Sequence, residues 1–204
     1  MNDADDDLRL VERARGGDDA AAGEALVKHR ARLRRMIEAR LDHRIRGRVD
    51  PSDVLQDGFV DVIAKLPGYL ADPKISLFLW LRLVVGERLT KVHRDNLGAQ
   101  MRNAGLEVSL YRGPMPAASS AALAAHLLGK VTSPTQAAVR AERLLRLQEA
   151  LNALDPLDRE ILSLRHFEEL THSEAARVLD IGEAAAAKRY IRALKRLKDV
   201  LPAS

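Results

Sequence analysis

The sequence predicts an all-α fold in which two small helical domains are joined by a flexible linker. Alanine, leucine and arginine are abundant, aromatic residues make up 3% of the chain, and runs of β-branched residues are short. This pattern favours helices over strands. A low-charge stretch at 105–132 contains Gly113 and an alanine- and serine-rich run, and it is too long for an ordinary connection within one domain. We therefore predict domains at 1–104 and 133–204, with 105–132 as the linker.

A third helix of the N-terminal domain has a well-defined predicted start. Asp50 can cap free amides, Pro51 suits the first helical position, and Asp53 lies at the positive end of the helix dipole. Pro67-Gly68 is expected to end this helix. Its core-facing residues are predicted from the 3.6-residue period to be Leu55, Phe59, Val62, Ile63 and Leu66. The predicted helices of this domain span 7–14, 19–41, 51–66 and 76–94.

The C-terminal domain carries a helix-turn-helix pattern. Thr171 and Glu174 form a capping box that opens a short helix. Ala175 and Ala176 are small enough for two helices to cross closely, and residues 180–182 provide a tight turn before a basic helix. The predicted helices of this domain span 133–154, 156–167, 172–179 and 183–201, and one transient helix is predicted at 121–128 in the linker.

The last helix is the predicted DNA-binding element. Early residues of such a helix approach base edges in the major groove, and later residues approach phosphates. Arg189 and Arg192 are therefore predicted to contact bases, and Lys195 and Arg196 to contact phosphates. The full predicted set is Lys188, Arg189, Arg192, Lys195 and Arg196. From the pattern alone, an amphipathic bundle helix with a solvated basic face is the alternative.

Charge is distributed unevenly along a chain whose formal net charge is only +4. Residues 1–24 hold eight acidic residues against three basic ones, whereas residues 28–48 hold nine basic residues against two acidic ones. Residues 183–198 hold six basic residues and one acidic residue. Clustered basic surface in a nearly balanced protein indicates a polyanionic partner, although solvated helix faces would give the same counts.

Composition argues against several other classes of protein. The chain has no cysteine, so it has neither disulfides nor thiolate metal sites. No apolar run approaches the length of a membrane span, and the acidic N-terminus differs from a secretory signal. The six histidines lack metal-ligand spacing, and no phosphate loop or serine elbow is present. We predict a cytoplasmic, non-enzymatic protein with no cofactor, metal, membrane or small-molecule substrate.

The chain resembles the extracytoplasmic-function (ECF) sigma factors of bacterial RNA polymerase in motifs that occur in the family's order. The run from Leu170 through the turn to Leu197 is similar to the family's region four. Residues 13–18 resemble the opening helix and its break, and residues 53–59 resemble the region-two helix. Residues 77–81 and the basic run 88–94 are similar to the segment that meets the downstream promoter element. One departure is Ala187, which stands where many members are basic.

The resemblance implies an alternative sigma factor that binds core RNA polymerase and directs promoter-specific initiation. Asp53, Gln56 and Asp57 would face the coiled coil of the largest polymerase subunit, and the C-terminal helix-turn-helix would bind double-stranded DNA of the upstream element. Melted DNA of the downstream element would meet a second basic set, and Trp80 nearby is expected to belong to the core. This second set is Arg82, Arg88, Lys91, His93 and Arg94. Many family members also bind an inhibitory anti-sigma factor.

A stand-alone helix-turn-helix regulator is the alternative function. Such regulators usually dimerise to read paired half-sites. The N-terminal half shows no evident dimer seam or ligand pocket in its sequence, and its polar face at residues 53–57 would have no role in a repressor. The sequence therefore favours the sigma factor.

Overall fold

The structure is a computed structural model that describes residues 3–97, 115–129 and 137–198. Across these ranges the regular structure consists of nine α-helices, which confirms the all-α prediction. The chain divides into two compact units, one of Met1–Ile37 with Leu41–Pro116 and one of Glu38–Arg40 with Ala117–Ser204. The helices are α1 (Asp3–Arg15), α2 (Asp19–Arg40), α3 (Pro51–Ala71), α4 (Leu77–Leu97), α5 (Ser120–Leu127), α6 (Ala137–Asn152), α7 (Pro156–His166), α8 (His172–Leu179) and α9 (Glu183–Lys198).

The start of α3 is the one that the sequence predicts, but its end is not. The Asp50 side chain accepts a hydrogen bond from the Ser52 amide at 2.6 Å, and Pro51 occupies the first turn. The helix continues past Pro67 to Ala71, so the predicted end at Pro67-Gly68 is wrong. Tyr69 explains the extra turn, because it is buried and its hydroxyl donates to the Ile75 carbonyl at 3.0 Å. Tertiary packing thus overrides the local preference of proline.

The core of the first unit is centred on the pairing of α3 with α4. Gly58 lies directly against Val85, and a Cβ atom at position 58 would stand 3.1 Å from a Val85 methyl. Val62 is buried as predicted, whereas Ile63 is 51% exposed and its predicted place in the core is wrong. The buried stripe therefore includes a glycine, which a hydrophobicity pattern does not count as a core residue.

The second unit contains a helix from the predicted linker. The helix expected at 121–128 is present as α5, and its Leu123 and Ala124 are fully buried in a cluster with Leu147 and Leu151 of α6. The remaining helices follow the predicted order. The linker is predicted to start at 105 and the next helix at 133. Both positions fall outside the described residues, so the domain bounds stay predictions.

Candidate nucleic-acid interface and docking face

Helices α8 and α9 form a helix-turn-helix whose turn is set by a left-handed residue. The predicted capping box is present, since Glu174 accepts from the Thr171 amide at 2.8 Å and the Thr171 hydroxyl accepts from the Glu174 amide at 3.1 Å. Asp180 has φ 54 and ψ 47, a conformation that Asp tolerates better than most residues. The Ile181 amide then donates to the Ala176 carbonyl at 3.0 Å. This closes the turn and fixes the direction in which α9 leaves it.

One side of α9 is packed, and the opposite side is exposed and basic. Ala186, Ala193 and Leu197 are buried. The positions on the opposite side follow the helical spacing i, i+4, i+7 and i+11, and all of them are exposed. We call this set the outward line of α9: Ala184, Lys188, Ile191 and Lys195. Arg196, from the predicted phosphate-contacting pair, is also exposed.

The two arginines predicted to contact bases are both bound to one buried carboxylate. Arg192 donates Nε to Oδ2 of Asp158 at 2.7 Å and Nη2 to Oδ1 at 2.6 Å. Arg189 donates Nη1 to Oδ1 of Asp158 at 2.8 Å, and it lies 3.3 Å from Asp155. These contacts join α7 to α9 and occupy donors that a base contact would need. Sequence reasoning missed Asp158, because next to Pro156 it resembles an ordinary first-turn acid.

The ionisation of Asp158 follows from these contacts. Burial by itself would raise the pKa of the Asp158 carboxyl, but the hydrogen bonds from Arg192 and Arg189 outweigh it and hold the pKa below its usual value. The hydrogen bonds to Asp158 in turn raise the pKa of the Arg192 guanidinium. The cluster is therefore fully charged at neutral pH, and it fixes where both arginine side chains lie.

The predicted downstream set separates into buried, paired and exposed residues. Arg82 and His93 are buried, so neither side chain lies at the surface, where a DNA contact would be made. Arg88 is largely buried beside Asp61 and donates to both of its carboxylate oxygens, at 2.7 and 2.5 Å. Lys91 and Arg94 are exposed and remain candidates for DNA contact.

His93 has a structural contact in place of the predicted one. Its Nε2 accepts a hydrogen bond from the Asp42 amide at 3.3 Å, which requires that nitrogen to be unprotonated. Burial lowers the pKa of His93, and nearby Asp42 only partly opposes the effect. In its neutral form, His93 thus helps to hold the segment after α2 against α4.

Trp80 stacks on another aromatic ring. It is half-buried, and its ring lies 4.4 Å from that of Tyr69 at an angle of 14°. Since Tyr69 anchors the last turn of α3, Trp80 contributes to the packing of α3 on α4. The contact agrees with a structural role more than with a free surface for stacking bases.

An acidic and apolar face runs along the side of α3 that points away from its buried stripe. Asp53, Gln56 and Asp57 are exposed, as the sequence predicts for a polar face. Val60 and Ile63 continue the same side of the helix with 65% and 51% of their surfaces exposed. We call these five residues the docking face. Arg88 Nη1 lies 3.9 Å from the Asp57 carboxylate, a weak contact that leaves this carboxylate accessible to a partner.

Comparisons with known proteins agree with this arrangement. Residues 144–197, from α6 to α9, match the family Sigma-70, region 4. Among solved structures, the chain is similar to CnrH in complex with the cytosolic domain of CnrY, with 22% identity over 96% of each chain and a TM-score of 0.54. It is also similar to the sigma factor RpoE in complex with the anti-sigma factor NepR from Bartonella quintana. That match has 18% identity, 87% of this chain, 94% of the other and a TM-score of 0.48. A search of curated proteins found no match.

These findings support the sigma-factor prediction made from the sequence in its C-terminal part. Residues 144–197 form a sigma-70 region 4 domain, and the chain shares its helical fold with CnrH. In the described parts of the chain, no helix is both long enough and apolar enough to cross a membrane.

Proposed function

We propose that this protein is an alternative sigma factor of the ECF type, which binds core RNA polymerase and directs it to promoters with two spaced elements. The observation that carries the proposal is the exposed basic side of α9 within a region 4 helix-turn-helix. A helix with this surface fits the major groove of duplex DNA, so the second unit would anchor the upstream element. Lys188 and Lys195 would act from the outward line, and Arg196 from its flank.

The docking face of α3 would bind the polymerase. Asp53 and Asp57 supply negative charge, and Val60 and Ile63 supply exposed apolar surface beside it. A partner with basic residues around an apolar strip would bury both. The coiled coil of the largest polymerase subunit is the partner that the family resemblance implies for this helix.

The end of α4 would meet melted DNA of the downstream element. Lys91 and Arg94 are exposed there, and they could neutralise the backbone of a separated strand. Extruding a base costs a few kcal/mol, and these contacts would offset part of that cost. Arg88 would contribute less, because its guanidinium is already bound to Asp61.

Regulation and location follow from the proposed role. CnrH was solved with a protein partner, the cytosolic domain of CnrY, and an inhibitory partner that covers the docking face would prevent polymerase binding here. The site of action would be the cytoplasm, where polymerase and promoter DNA are found. The reaction is delivery of polymerase, and the sigma factor would contribute binding contacts and no chemical step of its own.

Separating the two surfaces tests the proposal. In the variant Asp53→Lys with Asp57→Lys, the affinity for core polymerase is expected to fall by about tenfold or more, because reversed charges in an interface repel the partner. The variant Lys188→Ala with Lys195→Ala is expected to bind core normally and to lose promoter-specific binding. Core binding is measured by fluorescence anisotropy of the labelled chain, and promoter binding by filter retention of the reconstituted holoenzyme.

Two control variants match these changes in charge at exposed sites elsewhere. Glu12→Lys with Glu149→Lys reverses two acids outside α3, and Arg9→Ala with Lys74→Ala removes two cations outside α9. Both controls are expected to retain core and promoter binding. If the α3 variant and the α9 variant lost the same activity to the same degree, the proposal of two separate surfaces would be wrong.

A further inference from the structure

We propose that Ile191 determines promoter specificity by contacting thymine methyl groups of the upstream element. The inference rests on the proposed function, and it names the base chemistry that the recognition helix selects. Ile191 is 52% exposed and lies on the outward line of α9, between Lys188 and Lys195. A large aliphatic side chain in that position is costly to leave in water, and the cations on either side direct the surface to a polyanion.

Arg189 and Arg192, the two arginines in the first half of α9 and its middle, are poorly available for reading bases. The common arginine contact in the major groove uses two donors of one guanidinium on a guanine. Arg192 has already committed Nε and Nη2 to Asp158, and Arg189 has committed Nη1. In the exposed first turns of α9, Lys188 is therefore the residue placed to donate hydrogen bonds to a base, and it suits a guanine. Ile191 is the residue placed to make apolar contacts with a base.

Thymine carries the group that such a surface recognises. Its C5-methyl projects into the major groove and distinguishes thymine by apolar contact. Ala184 precedes Ile191 by seven residues on the same line and is also exposed, so the helix offers two apolar points separated by Lys188. The predicted upstream element therefore has a guanine flanked by thymines, and these bases can lie on either strand of the major groove that α9 enters.

The loss of one methyl group measures this contact directly. The complete chain is bound to core polymerase, and the holoenzyme is tested on its mapped promoter with each upstream thymine replaced in turn by deoxyuridine. Burying one methyl is worth about a fourfold change in affinity, so we expect about that loss at one or two positions. Holoenzyme with Ile191→Ala should bind the thymine and uracil probes equally at those positions.

A matched control separates specific contact from general loss of apolar surface. Leu145 on α6 is 60% exposed, and Leu145→Ala should keep the full sensitivity to uracil. Circular dichroism checks that Ile191→Ala is folded, which its exposure leads us to expect. Equal binding of thymine and uracil probes by the wild-type holoenzyme would overturn the inference, as would an unchanged uracil effect in Ile191→Ala. Failure of the proposed function looks different, because it would give no specific promoter at all and would overturn the inference with it.

Discussion

The carboxylate of Asp158 is fully buried, whereas the Arg192 side chain that binds it is half exposed. The pair therefore has one member that depends on its partner and one that water can solvate. Asp158 needs the arginines because an isolated buried carboxylate is costly. The main role of the pair is consequently to fix α9 against α7, and with it the orientation of the outward line.

Asp158→Asn is expected to destabilise the chain. It removes the charge that both arginines bind but preserves the size of the side chain, and a lost hydrogen-bonded charge pair of this kind costs about 1–3 kcal/mol. Urea unfolding followed by circular dichroism measures the change. Glu149→Gln, which alters an exposed acid on α6, should leave the unfolding free energy unchanged. Equal stability of the two variants would show that the pair does not hold α9.

Arg189→Ala with Arg192→Ala is expected to lower both stability and promoter binding. The sequence alone predicts a loss of DNA contact, but the structure adds that Asp158 would be left buried without its two cations. Lys188→Ala with Lys195→Ala should instead reduce promoter binding at unchanged melting temperature, because both lysines are exposed. Differential scanning calorimetry and holoenzyme binding, made on both variants, distinguish the roles. A stable arginine variant would contradict the structural role.

Substitutions of the exposed Val60 and Ile63 and of the buried Val62 on α3 are expected to have opposite effects on folding stability and on polymerase binding. Val60→Ala with Ile63→Ala removes exposed side chains, so folding stability should stay the same while binding to core polymerase weakens. Val62→Ala removes a buried side chain and should cost about 2 kcal/mol of stability. Unfolding curves and core-binding titrations are compared for the two variants. Destabilisation by the exposed pair would mean that these residues belong to the core after all.

The buried imidazole of His93 is expected to titrate below its usual pKa of 6.5. Because the folded state favours the neutral ring, this contribution to stability is complete above pH 6.5 and is lost as the pH falls below that value. A pH titration of the ring by NMR gives the midpoint. Asp42→Asn should lower the midpoint further, since Asp42 opposes the effect of burial. A midpoint at or above 6.5 in the wild type would contradict the burial of His93.

Local signals in the sequence predicted much of the fold. The cap at Asp50 and the capping box of Thr171 with Glu174 are formed in the structure, because they depend on residues close together in the chain. The end of α3 was mispredicted because Tyr69 makes its contacts with residues of the next segment. Ile63 was mispredicted because Gly58 supplies the close approach to Val85. These errors come from tertiary packing, which periodicity does not encode.

The sequence predicts which candidate residues are exposed where charge falls on the unburied side of a helix, as at Lys188 and Asp53. It does not predict the burial of Arg82 and His93, which lie in a basic run of α4. A helix that packs on more than one side buries long polar residues as well as apolar ones. Asp158 was missed for a related reason, since its two partners lie more than thirty residues later in the chain.

The most direct test of the central claim is a reconstitution with sigma-free bacterial core polymerase. Run-off transcripts are made from fragmented DNA of the source genome with and without the purified chain, and their starts are mapped by sequencing. We predict discrete starts that need the chain and share two spaced upstream elements. The absence of specific starts, together with no binding to core polymerase, would contradict the account and favour a stand-alone DNA-binding regulator.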